Sequence, residues 1–207
     1  MPNHGPRARR AVLLLATAVG GALVVTRYRA WHLRWGATSA EVAGAMPGDE
    51  LLTRADFVAT RAISIAAPPE RVWPWIVQVG FRRAGFYSYD LLDNLGRSSA
   101  DAVLDDFQHP AVGDLAAPMS SGDDDRTSFR VASIEEPRSL VWHKPDSTWA
   151  WRLTPDDAGG TRLVTRLKAR YGPGPFWPIT VLLMEIGDFP MMRRMLLGIA
   201  ERAERPV

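Results

Sequence analysis

Apolar and polar residues alternate along residues 57–67, which is the pattern of a β-strand with one buried face. One side of this predicted strand carries Phe57, Ala59, Arg61, Ile63 and Ile65. A pair of prolines ends the strand, and proline is tolerated in the first turn of a helix. Residues 69–79 are therefore predicted to form a short helix with Trp73 on its apolar side, and residues 87–95 a second one.

The middle of the chain has the clearest β pattern. Turns rich in Pro, Asp and Gly separate four predicted strands, which are residues 128–134, 139–143, 148–153 and 161–171. Short links predict an antiparallel meander, whose apolar face needs a cover. In the last strand, basic residues alternate with apolar ones, which predicts one solvent-exposed face and one buried face. Residues 98–108 predict a helical turn, and residues 112–117 a short strand.

The end of the chain predicts the cover for this sheet. After a Gly-Pro break at residues 172–175 and an apolar segment at 176–186, Asp188 is expected to cap a helix with Pro190 in its first turn. One stripe of that helix consists of Met191, Met192, Met195, Leu196, Ile199 and Ala203. Residues 36–56 are predicted to form an irregular segment with one short helical turn ahead of the first strand, and we call this segment the strap. The pattern as a whole indicates an α+β fold.

The run at residues 11–25 is apolar and free of charge, with three arginines before it and three after it. As a helix it would be about 22 Å long, short of the about 30 Å hydrocarbon core of a bilayer, and snorkelling arginines would narrow the gap. We expect an uncleaved membrane anchor with Tyr28, Trp31 and Trp35 at the interface. The alternatives are a cleaved secretory signal, with small residues at 20–22, and a plain N-terminal helix.

Composition narrows the class of protein. Residues 1–35 are assigned to the anchor or signal segment. Residues 36–207 are expected to form one globular domain, which is large enough to fold without a disulfide or a bound metal. There is no cysteine, so disulfides and thiolate metal sites are excluded. The net charge of +2 comes largely from the six arginines of the N-terminal segment. The remainder is slightly acidic, which argues against a nucleic-acid partner.

Several segments together resemble a known superfamily. They are RAISIAAPPERVW at 61–73, VQVGFRRAGFYSYDLLDNLGR at 77–97, VGD at 112–114, TRLVTR at 161–166 and GDFPMMRRMLLGIAERAE at 187–204. This set is similar to a bacterial branch of the START-like (SRPBCC) superfamily, described as polyketide-cyclase-like or lipid-transport-like, over most of residues 59–204. The resemblance implies a helix-grip fold, with a curved antiparallel sheet wrapped around a long C-terminal helix and a cavity between them. Members range from passive lipid carriers to cyclases, so the fold sets no reaction.

Aromatic residues are the first candidates for ligand contact. Trp149 and Trp151 alternate with Ala150 and therefore share a face of the sheet, where they would wall a pocket for a flat or apolar ligand. The alternative is ordinary core packing, which aromatic strands often serve. The predicted ligand contacts are Trp73, Tyr87, Tyr89, Asn94, Trp149, Trp151, Met191 and Met195.

A polar and aromatic cluster gives the candidates for catalysis, and it consists of Tyr87, Tyr89, Asp90, Asp93 and Asn94. At helical spacing, a carboxylate pair in a half-apolar cleft would have one pKa raised and would serve as an acid or a base. The favoured alternative is that these groups only fix the junction between helix and loop by hydrogen bonding.

Other arrangements of polar residues carry little chemistry. Ser98, His109 and Asp114 lack the turn that presents a nucleophilic serine. Residues 119–126, with three consecutive aspartates, are expected to be a solvated loop and not a calcium site. No pair of histidines has the spacing of metal ligands. We therefore predict neither a metal nor a cofactor.

The sequence favours a membrane-associated START-like domain that binds a hydrophobic small molecule or lipid in an internal cavity, without chemistry of its own. The first alternative is a polyketide-type cyclase or dehydratase, with Asp90 or Asp93 as the acid–base group and Tyr87 or Tyr89 orienting the substrate. The second is a membrane-tethered interaction module with a filled core.

Overall fold

The computed structural model describes residues 6–116, 128–172 and 177–206, with side chains from residue 15 onward. The predicted aspartate loop at 119–126 and most of the Gly-Pro break lie outside these residues. The fold is α+β. Its strands are β1 (Phe57–Ile65), β2 (Leu115–Ala116), β3 (Phe129–Glu135), β4 (Ser139–Lys144), β5 (Ser147–Pro155) and β6 (Thr161–Ala169).

These six strands form one curved antiparallel sheet in the order β1-β6-β5-β4-β3-β2. The predicted meander is confirmed, since β3 to β6 pair with their sequence neighbours. The first strand joins the far end of the meander, where β1 pairs with β6 along its whole length, from Phe57 opposite Ala169 to Ile65 opposite Thr161.

The α-helices are α1 (Pro6–His32), α2 (Ser39–Ala43), α3 (Pro69–Val77), α4 (Asp90–Asp93), α5 (Trp177–Leu182) and α6 (Asp188–Ala203). The helix predicted at 87–95 is shorter than expected, because Tyr87 and Leu95 have left-handed φ angles of 55° and 51° that end it on both sides. Residues 98–108 contain only a 3₁₀ turn, Asp105–Phe107. Within the described residues, no helix combines the length and the apolar composition needed to cross a membrane.

The expectation that Asp188 caps the last helix is wrong. A π-helical turn, Leu183–Gly187, joins α5 to α6, so the helix runs without interruption for 27 residues and Asp188 lies inside it. The π turn directly precedes Pro190, whose ring clashes with the carbonyl four residues earlier and disfavours a regular α-helix there. The predicted apolar stripe of α6 is confirmed, with only Met191 half-buried.

The outer face of β6 is covered, so its predicted exposure to water is also wrong. The strap that precedes β1 lies across it, and the buried guanidinium of Arg166 donates to the Asp49 carboxylate at 2.6 Å and to the backbone carbonyl of Glu41 at 2.9 Å. Arg162 donates to the Glu41 carboxylate at 2.8 Å. A small apolar cluster lies beside these pairs and consists of Met46, Ala62, Val141, Ala150 and Val164.

The free edge of β1 is protected by the residues just before the strap. The backbone N–H groups of Thr60 and Ala62 donate to the carbonyls of Leu33 at 2.8 Å and Trp35 at 3.1 Å. Gly36 follows with a φ of 72°, and a Cβ atom there would lie 2.0 Å from the Ala62 carbonyl oxygen. Only glycine therefore fits this turn, which brings the chain from the sheet edge onto its outer face.

We predict that Glu41→Gln loosens the strap in a pH-dependent manner. The hydrogen bond from Arg162 is the main cause that lowers the pKa of Glu41 from 4.5 to about 2. A depressed pKa in the folded state stabilises the fold above the unfolded pKa, and this contribution is lost as the pH falls toward 2. The variant should lower the free energy of unfolding by about 2 kcal/mol at pH 7, measured by urea denaturation.

The difference between Glu41→Gln and wild type should shrink as the pH falls below 4.5. Glu50→Gln is the matched control, because Glu50 is exposed on the same strap. An effect of Glu41→Gln that is equal at pH 7 and pH 3 would contradict the assignment.

Candidate functional site

Three tryptophans form a continuous aromatic surface on the inner face of the sheet. Trp142 on β4 lies directly opposite Trp149 on β5, and their rings meet edge to face with centroids 5.2 Å apart. Trp151, two residues along β5, lies 5.6 Å from Trp142 and 5.1 Å from Trp149. All three are buried, so the alternation in the sequence does place Trp149 and Trp151 on one interior face.

The indole N–H groups in this interior differ in their hydrogen bonding. Trp149 donates to the Thr165 hydroxyl at 2.9 Å. Trp151 on β5 and Trp73 on α3 are both buried, and neither indole nitrogen has a hydrogen-bond partner among the described residues. The two unsatisfied donors therefore belong to elements that pack against each other, α3 and β5.

The last helix forms the opposite wall of the interior. Met192 and Met195 are buried in the same core as the tryptophans, while Met191 is half-buried at its border. The backbone carbonyl of Met191 accepts a hydrogen bond from the Ser88 hydroxyl at 3.0 Å. This bond ties the loop before α4 to the start of α6.

Tyr87 is a structural anchor and not a free polar group. A Cβ atom at Gly198 on α6 would lie 2.4 Å from the Tyr87 carbonyl oxygen, so only glycine permits this close approach. The buried Tyr87 hydroxyl accepts from the Gln78 side chain at 2.9 Å, and the Arg202 guanidinium lies 4.5 Å from the ring centroid. Burial raises the pKa of Tyr87 far above its ordinary value of 10. The tyrosine therefore stays protonated and holds α6 against the loop.

Asp90 and Asn94 also hold the loop together. Asp90 accepts from the Ser99 hydroxyl at 2.5 Å and from the Ser99 backbone N–H at 3.1 Å. The Asn94 side chain donates to the Arg97 carbonyl at 2.7 Å. For these two residues the geometry fits the junction role that the sequence favoured.

Asp93 has a different environment from Asp90. Both of its carboxyl oxygens are buried, and no donor among the described residues forms a hydrogen bond of standard geometry with either of them. Burial, followed by the charge of Asp90, raises the pKa of Asp93, and the nearby Ser88 hydroxyl only partly opposes this rise. A carboxyl group whose pKa is raised in this way is a candidate general acid or base. Tyr89, next to it in the sequence cluster, is exposed.

A separate surface cleft of about 240 Å³ lies between the 3₁₀ turn Asp105–Phe107 and the start of β2. It is lined by Arg83, Asp106, Phe107, His109, Pro110, Asp114 and Leu115. The Arg83 guanidinium donates to the Leu115 and Val77 carbonyls, both at 2.8 Å, and lies 4.5 Å from the Phe107 ring centroid. His109 and Asp114 line this cleft and Ser98 does not, so the three residues are not brought together as a triad. Among the described residues, no three His, Cys, Asp or Glu side chains are grouped as a metal site.

Arg61 is an interior charge outside the predicted set of site residues. Its guanidinium is 1% exposed and donates to the Asp188 carboxylate at 2.6 Å and to the His32 carbonyl at 2.9 Å. Burial raises the pKa of Asp188, and the charge of Arg61 opposes this. The signal was present, since the alternation of β1 puts Arg61 on the same side as Phe57 and Ile65.

Comparison with known proteins gives structural neighbours only. No protein-family model matches the chain. No curated protein sequence matches it either. The crystal structure of protein MLL2253 from Mesorhizobium loti is 17% identical, with a TM-score of 0.42 over 73% of this chain and 99% of that one. Protein CV1439 from Chromobacterium violaceum is 14% identical, with a TM-score of 0.43 over 72% and 99%. Protein Ms6760 from Mycobacterium smegmatis is 15% identical, with a TM-score of 0.42 over 70% and 88%.

We predict that Asp93→Asn stabilises the protein at neutral pH. A raised pKa in the folded state means that protonated Asp93 contributes stability at low pH, which is lost as the pH rises through the folded pKa. Asparagine does not ionise, so its advantage over wild type should be largest at pH 7 and should vanish near pH 3. Urea denaturation at several pH values measures this.

Asp90→Asn is the matched control with the opposite sign. It weakens the hydrogen bonds from Ser99 and should lower the free energy of unfolding by about 1 kcal/mol at pH 7. Equal destabilisation by both substitutions at pH 7 would mean that Asp93 is a paired carboxylate.

Proposed function

We propose that this protein is a membrane-associated START-like domain that binds a hydrophobic small molecule or a lipid between the inner face of the sheet and the C-terminal helix. The observation that carries the proposal is the pair of buried indole donors, Trp73 and Trp151, without partners among the described residues. Their apolar surroundings offer no acceptor, whereas a ligand oxygen would supply one.

The free-energy cost of leaving these donors unpaired favours a bound ligand over core packing alone. A buried donor that is left unpaired costs about 1–3 kcal/mol, and buried donors in folded proteins are rarely left so. Trp149, on the same face, has its acceptor in Thr165. The contrast between neighbouring tryptophans favours a mostly apolar ligand with at least one hydrogen-bond acceptor, such as a carbonyl or an ester.

The surrounding side chains suit such a ligand. Methionines at 192 and 195 face the tryptophans across the core, and methionine adapts its shape to irregular apolar groups. In this proposal Trp151, Trp73 and Met195 contact the ligand, and Tyr87 and Asn94 keep the loop at the border of the site in place.

The proposed membrane association is supported by the exposed side chains of α1. Its described residues before His32 are all exposed, and they include Leu15, Val19 and Leu23 at four-residue spacing. Apolar side chains in this number are rare on the surface of a soluble monomer.

A second candidate function is supported by Asp93. A carboxyl group with buried oxygens, a raised pKa and no hydrogen bond of standard geometry among the described residues is the state that an enzyme arranges for general acid–base catalysis. In a cyclase or dehydratase of the polyketide type, Asp93 would take this role in preference to Asp90, which is engaged by Ser99. Tyr89, which is exposed, is better placed to meet a substrate than the buried Tyr87.

The binding proposal predicts a co-purifying ligand. Native mass spectrometry of the full chain purified without detergent should show an apolar adduct, and Trp151→Phe should reduce its occupancy by about tenfold, the equivalent of one hydrogen bond. Trp149→Phe is the matched control, because the Trp149 N–H already donates to Thr165, and its occupancy should stay closer to wild type. A mass without any adduct, in a chain whose core is filled, would contradict the proposal and support the interaction module.

The enzyme alternative predicts a rate effect confined to one carboxyl group. With a linear poly-β-ketone thioester as the probe, Asp93→Asn should lower kcat/KM by about 10² or more. Asp157→Asn, in the exposed turn between β5 and β6, should leave the rate unchanged. Cyclisation of the probe by Asp93→Asn at the wild-type rate would remove Asp93 as the acid–base group.

A further inference from the structure

The first third of the C-terminal helix is apolar yet lies outside the core. Five large apolar side chains of α5 and the π turn are between 50% and 60% exposed, namely Trp177, Ile179, Leu182, Leu183 and Ile186. The same helix buries its apolar stripe from Phe189 onward. The segment before Phe189 therefore exposes apolar area that the fold itself does not use.

Helix α1 approaches the same place from the other end of the chain. The Arg29 guanidinium donates to both carboxylate oxygens of Glu185, at 2.7 and 2.8 Å, and the Tyr171 hydroxyl donates to Glu185 at 3.0 Å. Trp31 packs edge to face on Phe189 with ring centroids 4.9 Å apart. Both exposed helical segments thus start from one fixed junction, and we call residues 15–31 and 177–186 together the two-helix surface.

The charge of this surface is one-sided. The first 40 residues of the chain contain six arginines and no acidic residue. On the two-helix surface Glu185 is the single acidic residue, and Arg29 and Tyr171 engage it. Because Arg29 is paired with Glu185, the remaining basic residue of the surface itself is Arg27, and Arg7, Arg9 and Arg10 precede it in the same helix. Tyr28, Trp31 and Trp177 are of the aromatic types that favour the interface between lipid and water.

We infer that the two-helix surface docks on an anionic lipid bilayer, with α5 and α1 lying side by side in its interfacial region. Exposed aliphatic residues, flanking arginines and interfacial aromatics are the combination by which amphipathic helices bind lipid surfaces. This inference extends the membrane association proposed above by adding the C-terminal helix to it. It does not depend on the internal ligand.

The docking brings the membrane to the start of α6. Phe189, at this junction, lies two residues before Met191 and six before Met195, which border and line the interior. An apolar molecule passing between the bilayer and the interior would therefore have a short path along the last helix.

Vesicle flotation of the full chain tests the inference. Binding is expected to vesicles of phosphatidylcholine and phosphatidylglycerol at 3:1, and to be much weaker for phosphatidylcholine alone. Leu183→Glu, which replaces an apolar side chain that is 60% exposed, should reduce the bound fraction at least about tenfold. Val112→Glu is the matched control, because Val112 is 64% exposed away from this surface, and it should bind like wild type.

The outcomes separate this inference from the proposed function. Val19→Glu on α1 should lose vesicle binding as Leu183→Glu does, and native mass spectrometry of both variants should show the internal ligand retained. Flotation of Leu183→Glu at the wild-type level, or equal binding to neutral and anionic vesicles, would overturn the docking. A wild-type dimer in light scattering that Leu183→Glu converts to monomer would also overturn it, since a second copy would then cover the surface.

Discussion

The buried ion pair between Arg61 and Asp188 is the constraint on which the rest of the structure depends. A guanidinium that is 1% exposed costs several kcal/mol unless its charge is paired. Asp188 comes from the last helix and the His32 carbonyl from the end of α1, and the Phe189 ring lies 5.4 Å from the guanidinium carbon. One side chain of β1 thereby fixes where both helices meet the sheet.

The last helix is held in place at Asp188 and again at Gly198. The distance between this helix and the sheet is therefore fixed, and the core side chains lie in the layer between them. The polar groups that could bind a ligand or transfer a proton come from several elements around that layer and not from one short motif. Unsatisfied indole donors belong to α3 and β5, and the Asp93 carboxyl group, whose pKa is raised by burial, belongs to α4. This distribution suits recognition of a guest from several sides, with specificity set by few polar contacts in an apolar setting.

Sequence patterns predicted most of what depends on neighbours in the chain. The alternation in β1, the shared face of Trp149 and Trp151, and the apolar stripe of α6 follow from period and spacing, and the structure confirms them. Some errors are local, such as the length of α4 and the absent cap at Asp188, which depend on the φ angles of Tyr87 and Leu95 and on the π turn before α6. The others concern contacts that no local spacing sets. Arg166 was expected in water because its partner Asp49 lies 117 residues away, and Asp90 is distinguished from Asp93 only by the position of Ser99, which no local spacing sets.

The strap across the outer face has a mechanical consequence. The ion pairs of Arg162 with Glu41 and of Arg166 with Asp49 fix the convex side of the sheet, and so do the hydrogen bonds that β1 donates to the carbonyls of Leu33 and Trp35. The sheet therefore acts as a rigid back wall, and the proposed guest molecule would have to be accommodated on the opposite, helical side, where a π turn joins α5 to α6.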